Sequence, residues 1–148
     1  MEIIKWDKSL ESSVEACNIE HKYLVDNINK TYTLLREGHR EEAKNLLVNV
    51  VVEYTDKHFK HEEDIMKKYG YPEEHIEKQK KMHRFFVKHI VNDLVPQIEN
   101  GGEKEFVSVL NFIVGWLIMH IQNMDVAGYG KWFDEHGVKV EDKPINLE

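Results

Sequence analysis

The sequence predicts an all-α fold: an up-down-up-down antiparallel four-helix bundle with an N-terminal arm. Three observations carry this expectation. Gly and Pro are sparse, eight and three in 148 residues, and they sit as punctuation at Gly38, at Gly70 with Pro72, and at Gly101–Gly102. The four segments so marked off each repeat apolar residues at three- and four-residue steps. None sustains the period-two alternation of a half-buried strand, and turns this short force neighbouring helices to run back along one another.

The elements follow in order. Residues 1–11 read as the arm. The first helix, expected over 12–37, carries the stripe Val14, Cys17, His21, Leu24, Ile28, Tyr32, Leu35; Ser12 or Ser13 can cap it and Gly38 can end it. The second, over 40–69, carries Ala43, Leu47, Val50, Tyr54, His58, Glu62, Ile65 and Tyr69. The third, over 72–100, opens with Pro72 in its first turn and carries Ile76, Gln79, His83, Phe86, Ile90 and Leu94; Pro96 is expected to kink or shorten it. The fourth, over 103–132, carries Phe106, Leu110, Ile113, Leu117, His120 and Met124, and residues 137–148 read as a tail. The whole of 1–148 is expected to form a single domain.

Composition narrows the function classes. A net charge of -7, from 27 acidic and 20 basic residues, argues against a nucleic-acid partner, because the polyanion would be repelled. A lone cysteine, Cys17, excludes a disulfide framework and a thiolate metal cluster. The sequence shows no continuous apolar run near the ~18 residues a bilayer requires and no h-region at its start, so no membrane partner and a cytoplasmic location are expected by default. There is no phosphate-cradling Gly loop, no nucleophile elbow and no H-E-x-x-H.

The informative residues are polar ones in apolar stripes. His21, His58, Glu62, His83, His120 and the nearby Asp125 stand where Leu or Ile would ordinarily pack. Buried without partners they would cost several kcal/mol, and a metal is the economical partner. His58 and Glu62 are four apart, offset by about 40° and ~6 Å, so they share a face. His120 and Asp125 are five apart and would splay by about 140° on a regular helix. Asp125 must therefore reach in from the flank, or the helix must loosen into a π-type bulge. The N/O donor set suits Fe, Mn, Zn or Cu, and six ligands exceed the need of one tetrahedral ion, which points to a dinuclear centre. Among the other histidines, His39, His75, His89 and His136 read as surface residues. His61 could touch a ligand from outside. Glu63 and Asp64 read as a solvated face, and Cys17 as inert core.

The stretches VEACNIEHKYLVDNINKTY, HFKHEEDIMKKYGYP, QKKMHRFF and WLIMHIQNMD resemble the four helix signatures of hemerythrins in their bacterial form, from about Trp6 to Tyr129. The resemblance implies a non-haem di-iron centre that binds O2 reversibly. It implies that His21 and His58 hold one iron, His83 and His120 the other, and that Glu62 and Asp125 bridge them alongside a solvent-derived oxo or hydroxo group. The O2 would dock at the iron with two His ligands, in a pocket lined by Leu24, Phe59, Trp116, Leu117 and Ile121. Such residues at helical spacing are also ordinary core. One departure stands out: where the family carries H-x-x-x-H on the third helix, this chain reads Gln79-Lys-Lys-Met-His83. Gln79 could ligate weakly through its amide oxygen or hold a water, leaving a labile position at that iron. The implied function is O2 storage, delivery or sensing, with O2 or a similar small diatomic or anionic ligand as partner. A di-iron enzyme with peroxidase, NO-reducing or oxidase activity is the alternative, which Gln79 favours and the absence of E-x-x-H pairs disfavours. A redox- or metal-dependent interaction module is a third.

Overall fold

A computed structural model describes residues 2–146. Four long helices run along the bundle, with no strand among the described residues. Helix α1 is Glu15–Arg36. Helix α2 joins Arg40–Leu46, a π-helical stretch Leu47–Val52, and Glu53–Lys68. Helix α3 joins Glu73–His89, a π-helical stretch Ile90–Leu94, and Val95–Asn100. Helix α4 joins Glu103–His120, a π-helical stretch Ile121–Gly130, and Lys131–Glu135.

Each boundary has a local cause. Gly38 and Gly70 follow the ends of α1 and α2 at φ 87° and 81°, the left-handed region that a side chain disfavours. Two details differ from expectation. The N-cap of α1 is Val14, with no side-chain cap; Asn18, in the first turn, instead ties the entry loop down through both the N–H and the carbonyl of Ser12. Pro72 precedes α3 in an extended conformation, ψ 132°, rather than lying inside its first turn. Pro96 does not end α3. The π-helical stretch just before it widens the turn where the ring would collide with the carbonyl four residues back, and the helix runs on to Asn100.

The arm is docked: the N–H groups of Ile3 and Ile4 donate to Asn29 Oδ1, Asn29 returns a bond to the Ile4 carbonyl, and Ile4 and Leu10 are buried. One core cluster fills the end of the bundle holding Leu47, Phe86, Phe106 and Leu110; a second gathers Val14, Ile65, Ile76, Tyr129 and Phe133 at the other. The polar residues singled out in the sequence lie between them.

By length and composition α4 is apolar enough to cross a membrane, with an 18-residue window of mean hydropathy 1.4, although polar residues interrupt its apolar stretch. In the fold that apolarity serves the core, where Phe106, Val109, Leu110, Ile113 and Leu117 are buried. Close approach also constrains α4 near its end. A Cβ on Gly130 would lie 2.8 Å from Ser12 Cβ and 3.2 Å from the Asp125 carbonyl oxygen. Gly130→Ala is therefore expected to cost about 1–3 kcal/mol in a denaturant titration, the range for overpacking, and a neutral result would mean that the entry loop at Ser12 yields freely.

Candidate metal centre

His21, on α1, is followed one turn later by Leu24 in the same inward stripe, and both are buried. His58 and Glu62 come from one face of α2, His83 from α3, and His120 and Asp125 from α4. All six are between 0 and 3% exposed. The π-helical stretch after His120 resolves the five-residue spacing: i→i+5 bonding makes five residues about one turn, which returns Asp125 to the face of His120. Their nearest side-chain atoms, Nε2 and Oδ1, lie 3.5 Å apart.

The six side chains form a ring of close contacts. Glu62 stands at its middle: Oε2 lies 3.2 Å from His21 Nε2, and Oε1 lies 3.3 Å from His58 Nε2 and 3.6 Å from His83 Nε2. Asp125 spans the same gap, with Oδ2 3.3 Å from His21 Nε2 and Oδ1 3.5 Å from His120 Nε2. His83 and His120 bring their Nε2 atoms within 3.0 Å. Two donors held ~2.1 Å from one cation at right angles would lie about 3.0 Å apart, so these spacings suit shared ions. His21, His58 and Glu62 form the most compact set, with ligand atoms all within 4.8 Å of one another; the His83–His120–Asp125 side is joined pairwise.

Hydrogen bonding aims the donors. His58 gives its Nδ1 side to Glu20 Oε1 at 2.7 Å, and His83 gives Nδ1 to Glu63 Oε2 at 2.7 Å. A carboxylate on Nδ1 fixes the tautomer and leaves the Nε2 lone pair directed inward. Tyr129 donates its hydroxyl to Glu62 Oε2 at 2.6 Å. Inside the ring, His21 Nε2, His58 Nε2, Glu62 Oε1 and Asp125 Oδ2 are buried with no hydrogen-bond partner. Buried polar atoms are ordinarily paired. Four such atoms, in contact at ion-pair distance but without a hydrogen bond and converging from three helices, are the pattern that cations complete, and this donor set fits N/O-loving transition metals.

Charges follow the same geometry. Burial pushes the Glu20 carboxyl up, but bonds from His58 and His61 outweigh it and hold the group at about 2. Burial lowers His58, but the Glu62 charge and the bond to Glu20 carry it up to about 10. Glu62 is held well below its ordinary range, burial being overcome by His58 and His21, whereas His120 is lowered by burial. Metal-free, the site is thus a network of buried ion pairs.

The structure places the other expected residues as follows. Gln79 is buried, and its Nε2 donates to Asp125 Oδ1 at 3.0 Å and to the Met124 carbonyl at 2.9 Å, while Oε1 has no partner. His75 is 52% exposed beside Tyr71. Leu24, Phe59, Leu117 and Ile121 are buried and Trp116 half-buried. Phe59 stacks on His83 at 3.8 Å between ring centroids, and Trp116 stacks on His120 at 4.5 Å. A cavity of about 120 Å³ between α2 and α3 has Phe59 and His83 in its wall. Cys17 is a free, fully buried thiol, pushed well up by burial.

One reading is corrected. Glu63 is not on a solvated face; it is largely buried as the acceptor of His83. Glu20 and Tyr129 were missed. Tyr129 lies four residues after Asp125, a spacing that could have flagged it. Glu20 has no such signal, since its partners are 38 and 41 residues away in the chain.

Comparison with known proteins matches residues 12–129 to the family described as hemerythrin HHE cation binding domain. The chain belongs to the hemerythrin family. Among similar hemerythrin-family proteins, the bacteriohemerythrin of Clostridium acetobutylicum is 27% identical over 81% of this chain and 94% of its own. That of Pseudomonas aeruginosa strain LESB58 is 28% identical over 84% of this chain and 77% of its own. That of Methylococcus capsulatus is 27% identical over 84% and 93%.

Proposed function

We propose that this chain binds O2 reversibly at a non-haem di-iron centre, serving storage, delivery or sensing of O2 in the cytoplasm rather than catalysis. The observation that carries the reading is the ring of four imidazoles and two carboxylates with unpaired atoms turned inward. The bacteriohemerythrin relatives support it. His21 and His58 would hold one iron, His83 and His120 the other, with Glu62 and Asp125 shared between them. The bound metals would supply the electrons and the open position that hold O2. The chain's own part is to keep the site dry: Leu24, Phe59, Trp116, Leu117 and Ile121 would limit access of protons and anions to the ligand. The deciding experiment is O2 titration of the anaerobically reduced, iron-loaded protein. A spectral change that reverses on purging supports the reading; one-way oxidation overturns it.

Gln79 favours a second reading, a di-iron enzyme acting on a small oxidant. Its amide N–H groups are committed to Asp125 and the Met124 carbonyl and its Oε1 is free, so the His83/His120 metal would have a weak amide oxygen at most in place of a third imidazole and keep an exchangeable position. Gln79→His is expected to slow metal release to a chelator by about tenfold to a hundredfold and to slow irreversible oxidation. His75→Ala should change neither. Metal loss on His75→Ala with no effect of Gln79→His would contradict the assigned roles.

A further inference from the structure

Glu20 is fully buried, lies outside the ring, and has three donors aimed at it. Two are imidazoles: His58 Nδ1 lies 2.7 Å from Oε1, and His61 Nδ1 lies 2.6 Å from Oε2. The third is the main-chain N–H of Ile145, which donates to Oε2 at 3.0 Å. Ile145 belongs to the segment after α4, 125 residues further along the chain.

Among its described residues that segment has no helix or strand of its own. It is fastened to the bundle at three places. Val138 and Val140 pack against the cluster of Val14, Ile65 and Phe133. Asp142 accepts the Tyr69 hydroxyl at 2.5 Å and lies 3.2 Å from Lys68 Nζ. Ile145 then reaches Glu20. A pocket of about 490 Å³, open to solvent, is lined by Ser13, Asp134 and residues 137–141 of the first half of the segment. The segment is a strap held to the bundle by the Val138 and Val140 contacts and by the bonds of Asp142 and Ile145.

The division of labour on Glu20 gives the strap its leverage. Oε1 serves His58, while Oε2 is shared by His61 and Ile145. Without the Ile145 N–H, one donor remains on Oε2, and that donor, His61, is 17% exposed where His58 is 1% exposed. The carboxylate is then free to turn with His61 and loosen its hold on His58. We infer that the C-terminal segment positions a metal ligand: by seating the Ile145 N–H on Glu20 it keeps His58 in its ligating orientation, and so sets how long the His21/His58/Glu62 side retains its cation. The inference rests on the metal reading above.

Two variants separate the amide from the side chain. Ile145→Pro removes the N–H; Ile145→Ala keeps it. Each full-length protein is loaded with Fe(II) alone under anaerobic conditions, checked for native helix content, and challenged with an Fe(II) chelator. Ile145→Pro is expected to lose part of its iron about tenfold to a hundredfold faster than the wild type, and Ile145→Ala to match the wild type. In the metal-free wild type, hydrogen exchange should show the Ile145 amide protected. Equal retention in all three proteins, or equal loss from both variants, overturns the strap, as does an unprotected Ile145 amide. If the wild type takes up no iron, the metal reading itself fails, and the exchange measurement alone still reports whether the strap is seated.

Discussion

Glu62→Ala is expected to empty both halves of the centre. Glu62 touches three of the four imidazoles, His21, His58 and His83, from a fully buried position. Its loss removes a donor from each proposed metal at once. The expected drop in metal affinity exceeds the ~100-fold that altered outer partners cost. Glu63→Ala, which removes only the acceptor on His83 Nδ1, should stay within that range. The metal-free protein should suffer too. Removing one member of a buried charge network leaves the others uncompensated, at about 3–5 kcal/mol. Metal analysis and thermal unfolding of the two variants check the ranking, and Glu63→Ala emptying the site as fully as Glu62→Ala would contradict it.

Metal loading is expected to stabilise the bundle strongly. In the metal-free protein the inward atoms of His21, His58, Glu62 and Asp125 lack hydrogen-bond partners, and bound cations supply them. A ligand at a thousand times its Kd adds about 4 kcal/mol per site, or about 8–16 °C in Tm for a chain of this size. The pH dependence has a definite sign. His58, raised to about 10, contributes stability that is fully present below its ordinary value of 6.5 and is lost as pH rises through about 10. Glu20, lowered to about 2, contributes stability present above its ordinary 4.5 and lost as pH falls through about 2. The metal-free protein therefore loses these contributions above 6.5 and below 4.5. Metal, by contrast, must displace the His58 proton, so its apparent affinity rises with pH. The Tm gap between loaded and metal-free protein should widen roughly from pH 6 to pH 9, and loading at neutral pH should release about one proton or more per chain. A gap that narrows over that range would contradict the ligand assignment of His58.

Much of this was legible in the sequence because helical periodicity is a local property. The stripes on α1 to α4 put His21, His58, Glu62, His83 and His120 on inward faces, and the structure buries all five. The spacing of His120 and Asp125 left two routes, a reach from the flank or a loosened helix, and the π-helical stretch Ile121–Gly130 is the second. What stayed hidden depends on tertiary packing. Glu20 adjoins His21 but lies about 100° around the helix from it, so no stripe includes it. Only the approach of α2 and of the C-terminal segment makes it a buried acceptor. Glu63 sits in a run of charges, His-Glu-Glu-Asp at 61–64, that reads as solvated until α3 lays His83 against it. Gln79 is the converse case: its position was readable, but the choice of its amide N–H groups over its oxygen came from where Asp125 and Met124 lie.

Metal analysis combined with anomalous scattering at the iron edge tests the dinuclear centre most directly. The expected result is about two iron ions per chain, one beside His21 and His58, the other beside His83 and His120, with Glu62 and Asp125 touching both. A single ion confined to the compact set of His21, His58 and Glu62, in fully loaded protein, would contradict it.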